Sequence, residues 1–419
     1  MLKDIVYTEF CIARSDKLKP TFSKDEKLVL SIVAIFLLAG TMVTTFSNVY
    51  LLNYTNSLII ISIYSMIRFS VLGFFAFISA KLSTKIRMTY SLVIGLALIT
   101  SAVVFLLQAA DSIATYTWIV YVVGLIWGAG EGFFWISINS LTQLVTSSET
   151  RSKYLGLSGA INSLMTIISP VLSSVILAFH VVETDGYFMM FQVAIVIFIF
   201  ISILSIFVSK AGTQSSFSMK NSIKDFKEDL SWRYVVVAQF IWGVRDAATI
   251  TLTGLLIYEA VGSGAVFARW LSFFALLSTI SFYVIGRLLK HHNRIHFLTV
   301  GSIALFLSGL ALILFQNVFG AIAHGILHFT FLPLAMTPFS LIALNVIGKY
   351  IPTENIMRRT VVREFMVALG RGAGLLLVVI LATSIDGVIG LYIALFILYL
   401  FCLLFAYVTI KFNKKTELA

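Results

Sequence analysis

The chain has 419 residues, 59% of them hydrophobic and 12% charged, with a mean hydropathy of +0.99. Soluble domains are about 45–50% apolar and about 25% charged, so this composition excludes a water-soluble protein and calls for lipid as the main solvent. Cys11 and Cys402 stand near opposite ends of the chain, which supports neither a disulfide framework nor a zinc site.

In chain order, the first 27 residues are polar, with Lys3, Arg14, Lys17, Lys19, Lys24 and Lys27 among five acids. No short apolar run with a small-residue cleavage site follows, so no removable signal peptide is expected. Twelve apolar runs come next, at 28–47, 57–80, 88–108, 117–146, 154–179, 187–209, 234–258, 265–286, 297–315, 318–347, 362–383 and 388–410. Each suits a helix of ~20 residues across a bilayer. The longest internal polar stretch, Lys210 to Arg233, separates six runs from six, with a surface helix expected at Ile223–Leu230. The predicted organisation is an N-terminal segment 1–27, a six-helix bundle 28–209, a linker 210–233, a second bundle 234–411 and a tail 412–419.

The charges fix the expected topology. Of 30 Lys and Arg residues, 26 fall in the two terminal segments or in every second loop, including Lys81, Lys85 and Arg87, Arg151 and Lys153, and Arg287, Lys290 and Arg294. The opposite loops carry only acids: Asp111, Glu183, Asp185, Glu259 and Asp386. The positive-inside rule then places both termini and the linker in the cytoplasm of a plasma-membrane protein. The formal charge of +11 is a topological signal and an attraction to anionic headgroups, so a nucleic-acid partner is not expected.

The halves repeat a local pattern. Ala80-Lys81-Leu82-Ser83-Thr84-Lys85-Ile86-Arg87 closes span two, and a similar run from Gly286 and Arg287 to Arg294 closes span eight, 206 residues later. With six plus six spans and a central linker, the chain resembles the major facilitator superfamily from about 28 to 411. The family loop reads Gly-x-Leu-x-Asp-Arg-x-Gly-Arg-Arg; Thr84 replaces its acid, so its charge latch is not expected. The family's antiporter segment Gly-Pro-x-x-Gly-Gly is similar to Ser169-Pro170-Val171-Leu172-Ser173-Ser174, where small residues are kept for close helix approach. Gly124 stands where family antiporters carry an arginine in span four, so a relay through that arginine is not expected. The resemblance implies an all-α membrane protein of twelve helices in two bundles that alternates access to a central site.

Charges inside a bilayer cost at least ~2.5–3.5 kcal/mol each and must face a cavity or a partner. The candidates are Arg68, Glu131, Arg245, Asp246, Glu364, Arg371 and, near the outer end of span eight, Arg269, together with His324 and His328 one turn apart. Spans three, six, nine and twelve hold none, and the resemblance makes those four peripheral. Arg68 lies twelve residues before Ala80, or ~18 Å into the membrane, and Arg245 and Glu131 reach similar depth. These groups are expected to converge at the midplane, where transporters place their sites. A carboxyl whose Arg partner comes and goes can take up and release a proton, so Glu131 is read either as a proton or substrate carrier or as a fixed partner of Arg68. The two histidines read as cavity lining or helix contacts rather than metal ligands. Pro333 and Pro338 mark span ten as a kinked gate or a static bend.

No nucleophile triad, phosphate-cradling loop or ATPase motif is present, so neither an enzyme nor a bound cofactor is expected. The reading is a monomeric, proton-coupled secondary transporter exporting a small amphipathic compound, with protons and membrane lipids as its other partners. Uptake of a small anion, lipid or glycolipid flipping, and a receptor without flux are the alternatives.

Overall fold

The computed structural model describes residues 22–147, 150–209, 219–348 and 353–417. Twelve helices long and apolar enough to cross a membrane follow in order. They are α1 (Lys24–Thr55), α2 (Leu58–Leu82), α3 (Met88–Gln108), α4 (Trp118–Val145), α5 (Arg151–Ala178), α6 (Glu183–Ile206), α7 (Leu230–Val261), α8 (Gly264–Leu288), α9 (Arg294–Leu314), α10 (Val318–Gly348), α11 (Thr353–Ser384) and α12 (Gly387–Glu417). The described residues contain no strand. The linker positions 210–218 lie outside the described residues; beyond them a surface helix runs Met219–Glu228, earlier than the predicted span.

Several helices outrun their apolar cores because polar residues finish them. Ser23 caps α1 by accepting the amide of Glu26, whose carboxylate accepts the Ser23 amide at 2.7 Å. This reciprocal box satisfies amides that no preceding turn can reach. Asp25 and Glu26 then tie the start of α1 to its own bundle, Asp25 through Ser209 and Glu26 through Thr150. The second bundle has a comparable clasp, in which Arg358 and Arg359 at the start of α11 reach Asp225 and Asp229 around the surface helix.

Helices α1 to α6 pack into one bundle and α7 to α12 into the other, and the main contacts between them run along α2–α11 and α5–α8. As expected, α3, α6, α9 and α12 have their main contacts inside their own bundle. Lipid supplies no hydrophobic drive between helices, so close packing relies on small residues. Along α4, Gly124, Gly128 and Gly132 face Tyr64, Arg68 and Leu72 of α2, and a Cβ on Gly128 would collide with the Arg68 carbonyl. Gly243 of α7 and Gly370 of α11 meet in the same way, each against the other helix's backbone.

The bundles are tied at the end that carries the acidic loops. Glu183 accepts the Gly264 amide and lies 3.1 Å from the Tyr258 hydroxyl, which is also 3.2 Å from Asn53. Ser174 of α5 donates to the Ala265 carbonyl of α8 at 3.1 Å. Toward the basic end, α2 and α11 stay packed, with Phe77 and Phe365 ring centres 4.6 Å apart. Toward that end Gly156 and Gly159 of α5 and Gly286 of α8 face open space, with no neighbour among the described residues within 4 Å of where a Cβ would lie.

These contacts predict opposite outcomes for one substitution at two sites. Gly128→Ala forces a methyl into the α2 backbone and should destabilise by about 1–3 kcal/mol. Gly156→Ala meets open space and should be neutral or stabilising by up to about 1 kcal/mol through helix propensity. Thermal unfolding in detergent reads both, and equal effects would contradict the packing described.

Candidate functional site

The glycine stripe on α4 brings Glu131 onto Arg68. With α2 and α4 in backbone contact, the Arg68 guanidinium donates to both Glu131 oxygens, from Nε at 2.9 Å and from Nη2 at 2.6 Å. Two parallel bonds to one carboxylate are the strongest geometry an arginine offers. Both side chains are under 10% exposed, and the Trp127 ring lies 4.8 Å from the guanidinium carbon. Gly124 has no room for the family's arginine, because α2 passes directly over it at Tyr64.

The second bundle builds its own pair across the α7–α11 crossing. Arg371 donates to Asp246 Oδ2 from Nε at 2.9 Å and from Nη2 at 2.7 Å. Its guanidinium also stacks 5.0 Å from the ring of Phe69, the residue next to Arg68. Phe69 therefore joins the two pairs across the bundle boundary, in a cluster with Leu72, Ala247, Ala368 and Leu375.

Between the pairs lies a cavity of about 400 Å³. Its walls include Arg68, Glu131 and Arg371, the polar residues Thr44, Thr45 and Asn48 of α1, and Thr249, Thr251 and Thr253 of α7. Phe69, Trp135, Phe267 and Phe329 supply its aromatic surface, and His324 reaches its edge. The three α7 threonines lie in a π-helical stretch, Ala248–Thr253, that interrupts α7 directly after Asp246. Such a stretch breaks the regular hydrogen-bond ladder and recurs at functional sites. The buried Thr251 hydroxyl has no hydrogen-bond partner among the described residues.

The structure brings Arg68, Glu131 and Arg371 together at one cavity, with Asp246 held behind Arg371, and places Arg245, His328 and Glu364 away from it. Arg245 turns into the second bundle and is 1% exposed, between the rings of Trp242 at 4.8 Å and Tyr399 at 5.6 Å. Consecutive side chains on a helix diverge by about 100°, so Arg245 follows its own face and stays 3.9 Å from Asp246. His328 is buried beside it, and its Nδ1 faces Arg245 Nη2 at 2.9 Å. Glu364 bonds its neighbour Arg363 at 2.8 Å and lines no part of the cavity. No group of three metal-ligating side chains occurs among the described residues.

The other predicted positions have packing roles. Ser169 donates to the Leu38 carbonyl at 2.9 Å and Ser173 to the Ser169 carbonyl at 2.9 Å, around Pro170. Arg269 lies 3.4 Å from Ser174, on the tied seam. Pro333 and Pro338 sit inside α10, where Gly301 of α9 approaches the Leu334–Ala335 backbone closely. Proline 338 takes the hydrogen-bond partner from the Leu334 carbonyl. In the loop after α2, Thr84 turns back onto the Lys81 carbonyl at 2.8 Å, so the family's acid is replaced by a local cap; Lys81, Lys85 and Arg87 are exposed. In the second copy, Arg287 stacks over Tyr283 at 4.3 Å and Gly286 stands in open space.

Sequence reading missed the cavity threonines, Asn48 and the π stretch. The signal was the polar spacing Thr249-x-Thr251-x-Thr253 inside an apolar run. No single α-helical face gathers residues two apart.

Because Arg68 and Glu131 are buried together, removing one leaves the other charged and alone. Arg68→Ala or Glu131→Gln should each destabilise by about 3–5 kcal/mol, and the double variant by clearly less than the sum. Additive losses in a thermal or denaturant double-mutant cycle would contradict a coupled pair.

Comparison with known proteins agrees with this architecture. The family model described as Major Facilitator Superfamily matches residues 28–343. A Bacillus subtilis protein, "Uncharacterized protein YqgE", is 22% identical over 372 residues, covering 88% of this chain and 85% of that one. Among solved structures, the transporter FucP in its outward conformation matches with a TM-score of 0.65 at 14% identity, covering 92% of this chain and 98% of FucP. A bacterial homolog of the human lysosomal transporter Spinster, inward-facing and unoccupied, matches at 0.69 and 11% identity, covering 93% of this chain and 96% of its own. The nucleoside transporter NupG matches at 0.68 and 11%, covering 94% and 100%. The protein is thus a multi-pass membrane protein that belongs to the major facilitator superfamily of transporters.

Proposed function

We propose that the protein is a proton-coupled secondary transporter of the plasma membrane that carries a small amphipathic molecule by alternating access. The observation that carries this reading is the central cavity, where two internally neutralised ion pairs face each other among hydroxyls and aromatic rings. Such a wall binds a solute with a polar head and an apolar body and asks for no net charge at rest. The moving bodies are residues 28–209 and 234–411, joined by the linker 210–233, with Pro333 and Pro338 as the bend that α10 uses in gating. Glu131 is the coupling carboxyl: it takes a proton when α2 and α4 shift and Arg68 lets go. The chain works as a monomer in a bacterial membrane with both termini cytoplasmic.

Export is the first direction considered, supported by the apolar and aromatic part of the wall. The segment Ser169–Ser174 that suggested antiport is engaged in helix packing, so it supports a seam more than a proton path. Uptake of a small organic anion is the second reading, and Arg371 favours it. Its side chain is 24% exposed on the cavity, against 5% for Arg68.

Two measurements test the proposal. In proteoliposomes with an imposed pH gradient, wild-type flux of an amphipathic dye should follow the gradient, and Glu131→Gln should bind the dye but lose pH-driven accumulation. Flux in wild type that ignores the gradient contradicts proton coupling. For topology, a maleimide applied to intact cells should label Ser112→Cys and spare Lys224→Cys; the reverse pattern contradicts the orientation.

A further inference from the structure

At the acidic end the bundle boundary holds a second cavity, of about 420 Å³, which shares no lining residue with the central one. That volume is in the range of small-molecule sites. One wall comes from the end of α1, with Asn53 and Asn56, and the start of α2, with Ser57 to Ile59. The tight link between these helices sets that wall. Asn56 ends α1 at a φ of 48°, a left-handed turn that asparagine tolerates. Ser57 then opens α2 by accepting the Ile60 amide at 3.4 Å. The other wall is Tyr258 and Glu259 of α7 with Leu391 of α12. The Tyr258 hydroxyl, 3.2 Å from Asn53 Oδ1, joins the walls, so the cavity has this shape only while the acidic end is closed.

The lining has one sign of charge. Glu259 is its only ionisable group apart from the Tyr258 phenol, and no Lys, Arg or His faces it. No ion pair or hydrogen bond among the described residues engages the Glu259 carboxylate; its charge acts on Tyr392, next to Leu391. Glu183, by contrast, is committed to the Gly264 amide and Tyr258. Arg269, the basic residue toward this end of α8, stands at Ser174 on the other seam. The Asn56 side-chain amide makes no hydrogen bond among the described residues either, so its oxygen is a second acceptor beside the carboxylate. Below these groups the lining is apolar, with Leu52, Leu58, Ile59 and Leu391. One carboxylate does not hold a metal ion, since calcium takes six to eight oxygen ligands and no group of three metal-ligating side chains occurs among the described residues.

We propose that this cavity is a binding site for an organic ammonium ion, distinct from the central cavity, and that its occupant holds the acidic end closed. The ammonium donates to the Glu259 carboxylate and the Asn56 side-chain oxygen, and its apolar body lies on the leucines and the Tyr258 ring. The loops of this end carry acids and no Lys or Arg, and a cleft of one sign raises the local concentration of the opposite charge. Because α1 and α2 belong to one bundle and α7 and α12 to the other, the bound cation braces the boundary. Opening of the acidic end separates the walls and destroys the site. A ligand that binds one of two states shifts the population toward it, so the cation favours the state open at the basic end. The proposal does not rest on proton coupling or on the solute of the central cavity.

Calorimetry on the protein in lipid nanodiscs tests the site, with 2-phenylethylamine as probe at neutral pH and empty nanodiscs as reference. Wild type should bind the amine at least about tenfold more tightly than its neutral counterpart, 2-phenylethanol. Glu259→Gln should lose that preference, and Leu391→Trp, which fills the cavity and keeps the carboxylate, should lose binding of both. Amine binding that is absent in wild type, equal to that of the alcohol, or unchanged in either variant overturns the site. Thermal unfolding of both variants should match wild type, which separates loss of the site from loss of the fold. Spin labels at Val181 and Ser263 read the brace: the amine should shift their distances toward the shorter population in wild type and leave Glu259→Gln unchanged. Distances that stay fixed or lengthen while the amine binds overturn the brace.

Discussion

A guanidinium placed at bilayer depth keeps its charge and must find an anion, a ring face or water. Arg68, Arg245 and Arg371 sit under that constraint, and much of the central architecture is a way of meeting it. Glycines on α4 let α2 approach until Arg68 and Glu131 meet, and glycines on α7 and α11 do the same for Asp246 and Arg371. The same close approaches set the crossing of the helices that carry the charges. Packing and charge neutralisation are thus one device in each bundle, and the cavity is the space left between the two devices.

The placement of the two pairs also assigns roles to the rest of the fold. Phe69 touches both guanidiniums, so the α2–α11 seam ties the pairs mechanically. The α5–α8 seam is held at the acidic end by hydrogen bonds through Ser174 and by the nearby Glu183, while glycines of both helices face open space toward the basic end. A few polar contacts at one end and open space at the other form a seam that can exchange ends at small energetic cost. Hydrogen bonds between membrane helices are worth only about 0.6 kcal/mol on average.

Most of the fold was legible in the sequence, because the bilayer imposes it. Apolar run lengths and the one-sided placement of Lys and Arg fix the spans, and charge-free spans three, six, nine and twelve mark the periphery. The Arg68–Glu131 pair was also legible, from depth and from the glycines beside Glu131. Helix ends were not, since Ser23 extends α1 through a cap that hydropathy does not register. The partners of Asp246 and Arg245 were hidden for a different reason. A 100° rotation between neighbours sends two adjacent side chains to different helices, and only tertiary packing says which. Glu364 misled because a charge within an apolar run counts as central in a linear reading, whereas here a neighbouring arginine at 2.8 Å satisfies it away from the cavity.

The central claim is that two bundles rock about the paired charges and expose one cavity alternately to each side. Distances between spin labels in lipid nanodiscs test it most directly, with one pair at Gly156 and Gly286 across the basic end of α5 and α8 and another at Val181 and Ser263 across the acidic end. The account predicts two populations for each pair, with the basic-end distance shortening as the acidic-end distance lengthens when pH or solute changes. A single distance for both pairs under all conditions would contradict it.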